Sequence, residues 1–176
     1  MDKKGQVFTI DLLIAIFIFT LIFTSVVIFL FSIGAISSQY SSYYAQTISV
    51  SLNSIASSAI NTLVGSQGTP INWSSAPCSS IKTVGIMYNY YEASPQKLYN
   101  LTTLPVACLS QLLRAGDSFN ITTSYLNGTP LKVNGAVITA GFSIPQNPAY
   151  ITSVQRFVVL YPGKDIIRMS FSEWLQ

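Results

Sequence analysis

The sequence predicts an α+β protein. One long N-terminal helix, its first half membrane-spanning and its second half amphipathic, packs on a mostly antiparallel β-sheet domain with two short helices. Three observations predict this. Residues 12–36 are apolar but for a few Thr, Ser and Gly. Apolar residues then recur at spacings of three and four as far as Leu63. Beyond Gly65, Gly68 and Pro70 the texture changes to short alternating stretches broken by turn residues.

The first element is long enough to cross a bilayer, which takes about 20 residues. It is too long for a removable secretory h-region, which runs roughly 7–15 residues. Lys3 and Lys4 precede it, and the next basic residue is Lys82. The positive-inside rule therefore places the N-terminus in the cytoplasm and the C-terminal domain outside. The stripe Tyr44, Ile48, Leu52, Ile55, Ala59 and Leu63 continues the helix to about Val64, roughly 80 Å at 1.5 Å per residue, with the stripe expected against the following domain. The opposite face, Ser41, Ser42, Ser49, Ser57 and Ser58, is polar but uncharged. Such a face suits water or close helix–helix contact.

In the C-terminal half, residues 83–91 ("TVGIMYNYY") read as a strand. Ser94 and Pro95 start a short helix. "PVACLSQLLRAG" is a second one, ending at Gly116. Phe119, Ile121, Thr123 and Tyr125 alternate, and Asn127-Gly128 follows as a hairpin turn. "AVITAGFSI" and "SVQRFVVLY" continue the strands. Pro162-Gly163-Lys164 turns the chain into a last strand, "DIIRMSFSEWL".

Charged residues are 9% of the chain and the net charge is +3. Residues 12–81 carry no charge, and no Lys/Arg cluster exists beyond Lys3 and Lys4. That argues against a nucleic-acid surface. There is no histidine, which removes His-based triads and most zinc sites. Glu92, Asp117, Asp165 and Glu173 are scattered. Ser79/Lys82 and Ser94/Lys97 fit a nucleophile pattern, but Ser94 is better explained as a helix cap and Ser79 lies in a loop. Lys97, Arg114 and Lys132 read as solvated charges. No enzyme, cofactor, metal or small-molecule substrate is expected.

Cys78 and Cys108 are the only cysteines, and both lie in the half expected outside. One pair in an exported domain reads as a disulfide. Two buried free thiols are the alternative, because spacing does not show proximity. Asn72, Asn100, Asn120 and Asn127 match the N-glycosylation sequon, and Asn127 also reads as a turn.

Asp11 stands at the mouth of the apolar run. It is either interfacial and wet, or it waits for a cation supplied by assembly. Here "KKGQ" and "FTIDLLIAI", with the short charged leader, the unbroken hydrophobic helix and the early acid, resemble an archaeal type IV pilin-like protein with a class III signal peptide. The resemblance implies processing at Lys3-Lys4-Gly5-Gln6 by a prepilin peptidase, with cleavage between Gly5 and Gln6. It also implies assembly of the helices into a filament core by a cytoplasmic ATPase and a membrane platform protein, with Asp11 facing the new amine of a neighbour. In the family the acid is usually the fifth mature residue; Asp11 would be the sixth, a turn of about 100° on a helix.

The expected organisation is a leader (1–5), an assembly helix (6–36), its amphipathic continuation (37–64) and an extracellular β-rich domain (65–176). The expected function is a structural subunit of a pilus-like filament or pseudopilus at the cell surface. The alternative is a singly anchored surface protein that binds a partner without polymerising.

Overall fold

The computed structural model describes Lys3–Gln176, and for residues 3–10 and 34–42 the backbone alone. A single helix, α1, runs Lys3–Gly65, one residue past the expected end. The chain divides into two compact units, Met1–Gln46 and Thr47–Gln176, and α1 contributes to both. The division falls inside the segment expected as the amphipathic continuation.

In the second unit α1 is followed by β1 (Glu92–Ala93), α2 (Pro95–Thr103) and α3 (Val106–Leu113). Strands β2 (Phe119–Tyr125), β3 (Lys132–Val133), β4 (Ala136–Val137), β5 (Thr139–Gly141), β6 (Tyr150–Leu160) and β7 (Asp165–Leu175) complete it. Five strands form one sheet in the order β1-β6-β7-β2-β5, and β3 pairs with β4 apart from it. Only the β1–β6 contact is parallel; the rest of the sheet is antiparallel, as expected.

The inner face of that sheet carries Phe119, Ile121 and Thr123 of β2, Ile167, Met169 and Phe171 of β7, and Val154 and Val158 of β6, all buried. Phe119 and Phe171 stack at 5.6 Å. Against them α1 buries Leu52, Ala56, Ala59, Ile60 and Leu63. This corrects the expected stripe. Ile55 and Ile48 are half-buried, Tyr44 is exposed in the other unit, and Ala56 and Ile60 take their places. The observed spacing of four, three, one and three keeps to one helix face. Alanines at its centre let the facing side chains approach closely.

Three further expectations are corrected. Residues 83–91 are not a strand. Val84, Gly85, Ile86 and Met87 are all buried, which is why they read as one, but their amides turn to the end of α1: Ile86 N–H donates to Leu63 O (2.9 Å) and Met87 N–H to Ser66 O (3.1 Å). The last carbonyls of a helix lack intrahelical donors; this strap supplies one for Leu63 O and a second for Ser66 O, just past the helix. Helix α3 ends before Gly116, because Arg114 itself takes the left-handed conformation (φ 54°) and Ala115 N–H donates to Ser110 O. Asn127-Gly128 closes only a single bridge, Ser124 to Pro130. Tyr125 N–H donates to Thr129 O and Leu131 N–H to Thr123 O on either side of that bridge, but Thr123 N–H donates to Ile138 O instead of Leu131 O, so the pairing ends there. A second Asn-Gly pair, Asn134-Gly135 with φ 53° and 81°, closes β3–β4 instead.

The stretch 136–144 divides into β4 and β5, which lie in different sheets; the other elements match. Ser94 Oγ accepts from Lys97 N–H and caps α2, with Pro95 in its first turn. The β6–β7 hairpin runs in register from Tyr150–Leu175 to Leu160–Asp165. Cys78 and Cys108 are bonded, which ties the short 3-10 turn at Cys78–Ser80 to α3.

Leu63 is fully buried under the strap. Leu63→Ala is expected to destabilise the second unit by about 2–5 kcal/mol, read as a lowered urea midpoint, whereas Val50→Ala, on the exposed side of the same helix, shifts it by less than about 0.5 kcal/mol. The bridge closes a loop with sequence separation 30. Its removal by Cys78→Ser with Cys108→Ser is expected to cost about 3–4 kcal/mol. Two alkylatable thiols in the native protein would contradict the pairing.

Candidate membrane and assembly segment

Within α1, Asp11–Ile33 has a mean hydropathy of 3.0 and is the one span among the described residues long and apolar enough to cross a membrane. None of it is buried by the rest of the chain. Apart from half-buried Val27, its large side chains range from 48% exposed at Ile33 to 77% at Phe31, and they point to every side. A folded soluble chain rarely leaves so much contiguous apolar surface in water.

The hydroxyls of this segment are satisfied within the helix. Its four hydroxyls all donate back to their own helix: Thr20 to Phe17 O (2.9 Å), Thr24 to Thr20 O (2.7 Å), Ser25 to Ile22 O (2.8 Å) and Ser32 to Ile28 O (2.8 Å). In hydrocarbon a polar group must be satisfied internally. Back-bonding to i−3 or i−4 does that without a partner helix. Asp11 is exposed at the first position of the span. The expected processing residues Lys3, Lys4, Gly5 and Gln6 lie outside the residues whose side chains are described.

The uncharged face behind the span is only partly described. Ser49 and Ser58 are exposed and Ser57 is half-buried; Ser41 and Ser42 lie outside the residues with described side chains.

The sequons differ in setting. Asn120 lies within β2, and its Nδ2 donates to Phe142 O at 2.7 Å. Asn100 lies within α2 and its Oδ1 accepts from Gln96. Asn72 and Asn127 are exposed in turns, and Asn127 Oδ1 accepts from Thr129 N–H.

Two ionisable groups have settings that the sequence did not reveal. Lys97 is half-buried rather than solvated. Its Nζ donates to Gln67 O (2.6 Å) and Met87 O (3.0 Å), beside the end of α1, and burial lowers its pKa. Arg114 and Lys132 are exposed, as expected. Glu173 is 4% exposed on the inner face of β7. Its Oε1 accepts from Gly116 N–H at 3.4 Å, and Oε2 has no partner among the described residues. No sequence signal marks it, because its burial depends on Gly116 being brought over the sheet.

Among the described residues no cluster of three or more His, Cys, Asp or Glu could hold a metal. A hollow of about 350 Å³ lies beside the end of α1, lined by Ser66, Gln67, Asn89 and Tyr90 among others. Its amides are used within the fold: Gln67 Nε2 donates to Tyr88 O, and Asn89 binds the Tyr91 and Glu92 amides and the Glu92 carboxylate. Comparison of the chain with protein-family models, with curated proteins and with solved structures finds no match.

Burial raises the Glu173 pKa above 4.5, and the Gly116 hydrogen bond offsets part of the rise. A raised carboxyl pKa means the folded state holds the proton more tightly than the unfolded chain. Its stabilising share is complete below 4.5 and is lost as pH rises through the folded-state value. Glu173→Gln is therefore expected to melt above the native protein at pH 7, with the difference shrinking as pH falls to 4. Parallel melting curves at both pH values would contradict the assignment.

Proposed function

We propose that this chain is a pilin-like structural subunit of a cell-surface filament, assembled through its N-terminal helix, with the β domain as the exported body. One observation carries the reading. The helix whose side chains are predominantly apolar and, but for Val27, exposed from Asp11 to Ile33 continues without a break into the core of the β domain. A helix of that kind can sit in a bilayer before assembly and in a bundle of its own copies afterwards, since both surround it with hydrocarbon. The back-bonded hydroxyls serve equally in either setting.

The leader and Asp11 supply the two steps. Lys3 and Lys4 hold the N-terminus in the cytoplasm. Gly5 presents a backbone without a side chain to a membrane prepilin peptidase. Removal of the charged leader leaves one amine on Gln6, which Asp11 of a neighbouring subunit neutralises in the filament core.

A second reading is a singly anchored surface protein that binds a partner and does not polymerise. Tyr90 and Tyr91, 94% and 81% exposed on the loop before β1, favour it, because exposed tyrosines are enriched where proteins bind.

Gly5→Val is expected to block processing and filament formation together. Asp11→Ala is expected to leave processing intact and to lower incorporation into filaments by about tenfold or more, as loss of one partner from a buried ion pair does. Both are read by N-terminal sequencing of the protein from its own membranes and by immunoblotting of sheared filaments. Met1 or Asp2 at the mature N-terminus, in cells that possess the peptidase, would overturn the filament reading in favour of the anchored one.

A further inference from the structure

The sheet has one long edge that the fold leaves open. β1 covers β6 only at Val159 and Leu160, so residues 150–158 have β7 on one side and no strand on the other among the described residues. The parity of that edge follows from one hydrogen bond. Tyr161 N–H donates to Ala93 O, so the backbone groups of odd-numbered residues point towards the β1 side. Below Val159 the same parity aims the N–H and C=O of Ile151, Ser153, Gln155 and Phe157 away from the sheet. All four side chains are exposed, with Ile151 at 49% and Phe157 at 62%.

Natural edges are usually guarded by Lys, Pro, bulges or inward charges. Residues 150–160 contain no Lys and no Pro, and β6 pairs with β7 without a bulge. The sole charge is Arg156. Its Nε donates to Asn61 Oδ1 on α1 and its NH1 to Gln155 O, so it covers one edge carbonyl at most.

We propose that this edge pairs with the same edge of a second copy of the chain, antiparallel, about a two-fold axis through Val154. The register is self-complementary. Ile151 falls opposite Phe157 of the second copy and Ser153 opposite Gln155, and every one of these residues aims its backbone donor and acceptor outward. Each copy thereby meets an apolar residue with an apolar one and a polar residue with a polar one. The charges do not oppose the pairing. Arg156 lies opposite Thr152 of the second copy, which sets the two guanidinium groups about 13 Å apart along the strands, beyond the screening length at physiological salt.

One such edge buries less than the roughly 800 Å² per partner of a standard interface, so an isolated pair is transient. Copies gathered at high local concentration multiply it. A two-fold pair closes on itself and adds no subunit along one polar filament. The proposal goes beyond the filament reading and does not require it.

Cysteine pairing on the full-length protein, in detergent and in membranes, tests the register. Ser153→Cys and Gln155→Cys variants are purified separately, then oxidised alone and mixed. Directly opposite, hydrogen-bonded residues lie about 5.5 Å apart between Cα atoms, within disulfide reach, whereas each position lies diagonal to its own copy and outside it. The mixture is expected to give at least about tenfold more cross-linked dimer than either variant alone. Adding Phe157→Lys to both is expected to abolish the difference while leaving the melting temperature unchanged, because Phe157 faces away from the core. Association through the apolar helix alone would cross-link all samples equally, and that result overturns the proposal. Absence of any dimer, or cross-linking to a different envelope protein, would overturn it as well.

Discussion

The end of α1 is the constraint on which the rest of the β domain depends. A helix must stop with carbonyls that have lost their intrahelical donors. Here Gly65 at the stop is exposed but Leu63 is buried, so Leu63 O needs a partner from the protein. The strap at residues 84–87 donates Ile86 N–H and Met87 N–H to Leu63 O and Ser66 O, and Lys97 Nζ adds a cation at Gln67 O. A positive charge is favourable at that pole of the helix dipole. Trp73, fully buried, locks the strap from the other side through Nε1 to Gly85 O. Gly85 has no room for a side chain, since a Cβ there would collide with Ser66.

Consequences propagate from that anchor. With the strap held, Ser94 N–H reaches Ile86 O and Tyr88 N–H reaches Glu92 O, which sets β1 in place. β1 lies parallel on the end of β6, and Ser94 caps α2. Helix α2 then carries Lys97 back to the end of α1. A short sequence thus closes a circuit in which helix end, strap, strand and second helix each fix the next. The Cys78–Cys108 bridge joins the loop after Trp73 to α3 and holds the same layer from its far side.

The two halves of α1 meet different surroundings with the same backbone. From Asp11 to Ile33 helicity is secured inside the helix, with hydroxyls folded back on carbonyls and no long-range contact required. From Leu52 to Leu63 the helix relies on one face, where two alanines and three larger residues pack on the sheet. That difference in what surrounds the side chains is the physical basis for reading the first stretch as a membrane or bundle segment and the second as the stem of an exported body. The sheet in turn leaves its long β6 edge open because β1 is only two residues long.

The sequence by itself determined the elements whose cause is local. The apolar span needs only composition, the Ser94-Pro95 start needs only capping geometry, and β2 and the β6–β7 hairpin need only alternation and a turn. The α+β class and the mostly antiparallel sheet follow from those. Tertiary structure decided what depends on residues far apart. It moved the buried stripe from Ile55 to Ala56 and Ile60, because the sheet, not the helix, selects which side is covered. It turned residues 83–91 into a strap, because their donors found helix carbonyls before any strand. It buried Glu173, and it made Lys97 a helix-end cation. Both Asn134-Gly135 and Asn127-Gly128 are legible as turns, but the ladder behind Asn127-Gly128 stops where Thr123 N–H turns to Ile138 O. Patterns of period two or 3.6 report which face of an element is apolar; they do not report which distant backbone group stands opposite it, and that pairing sets every one of these differences.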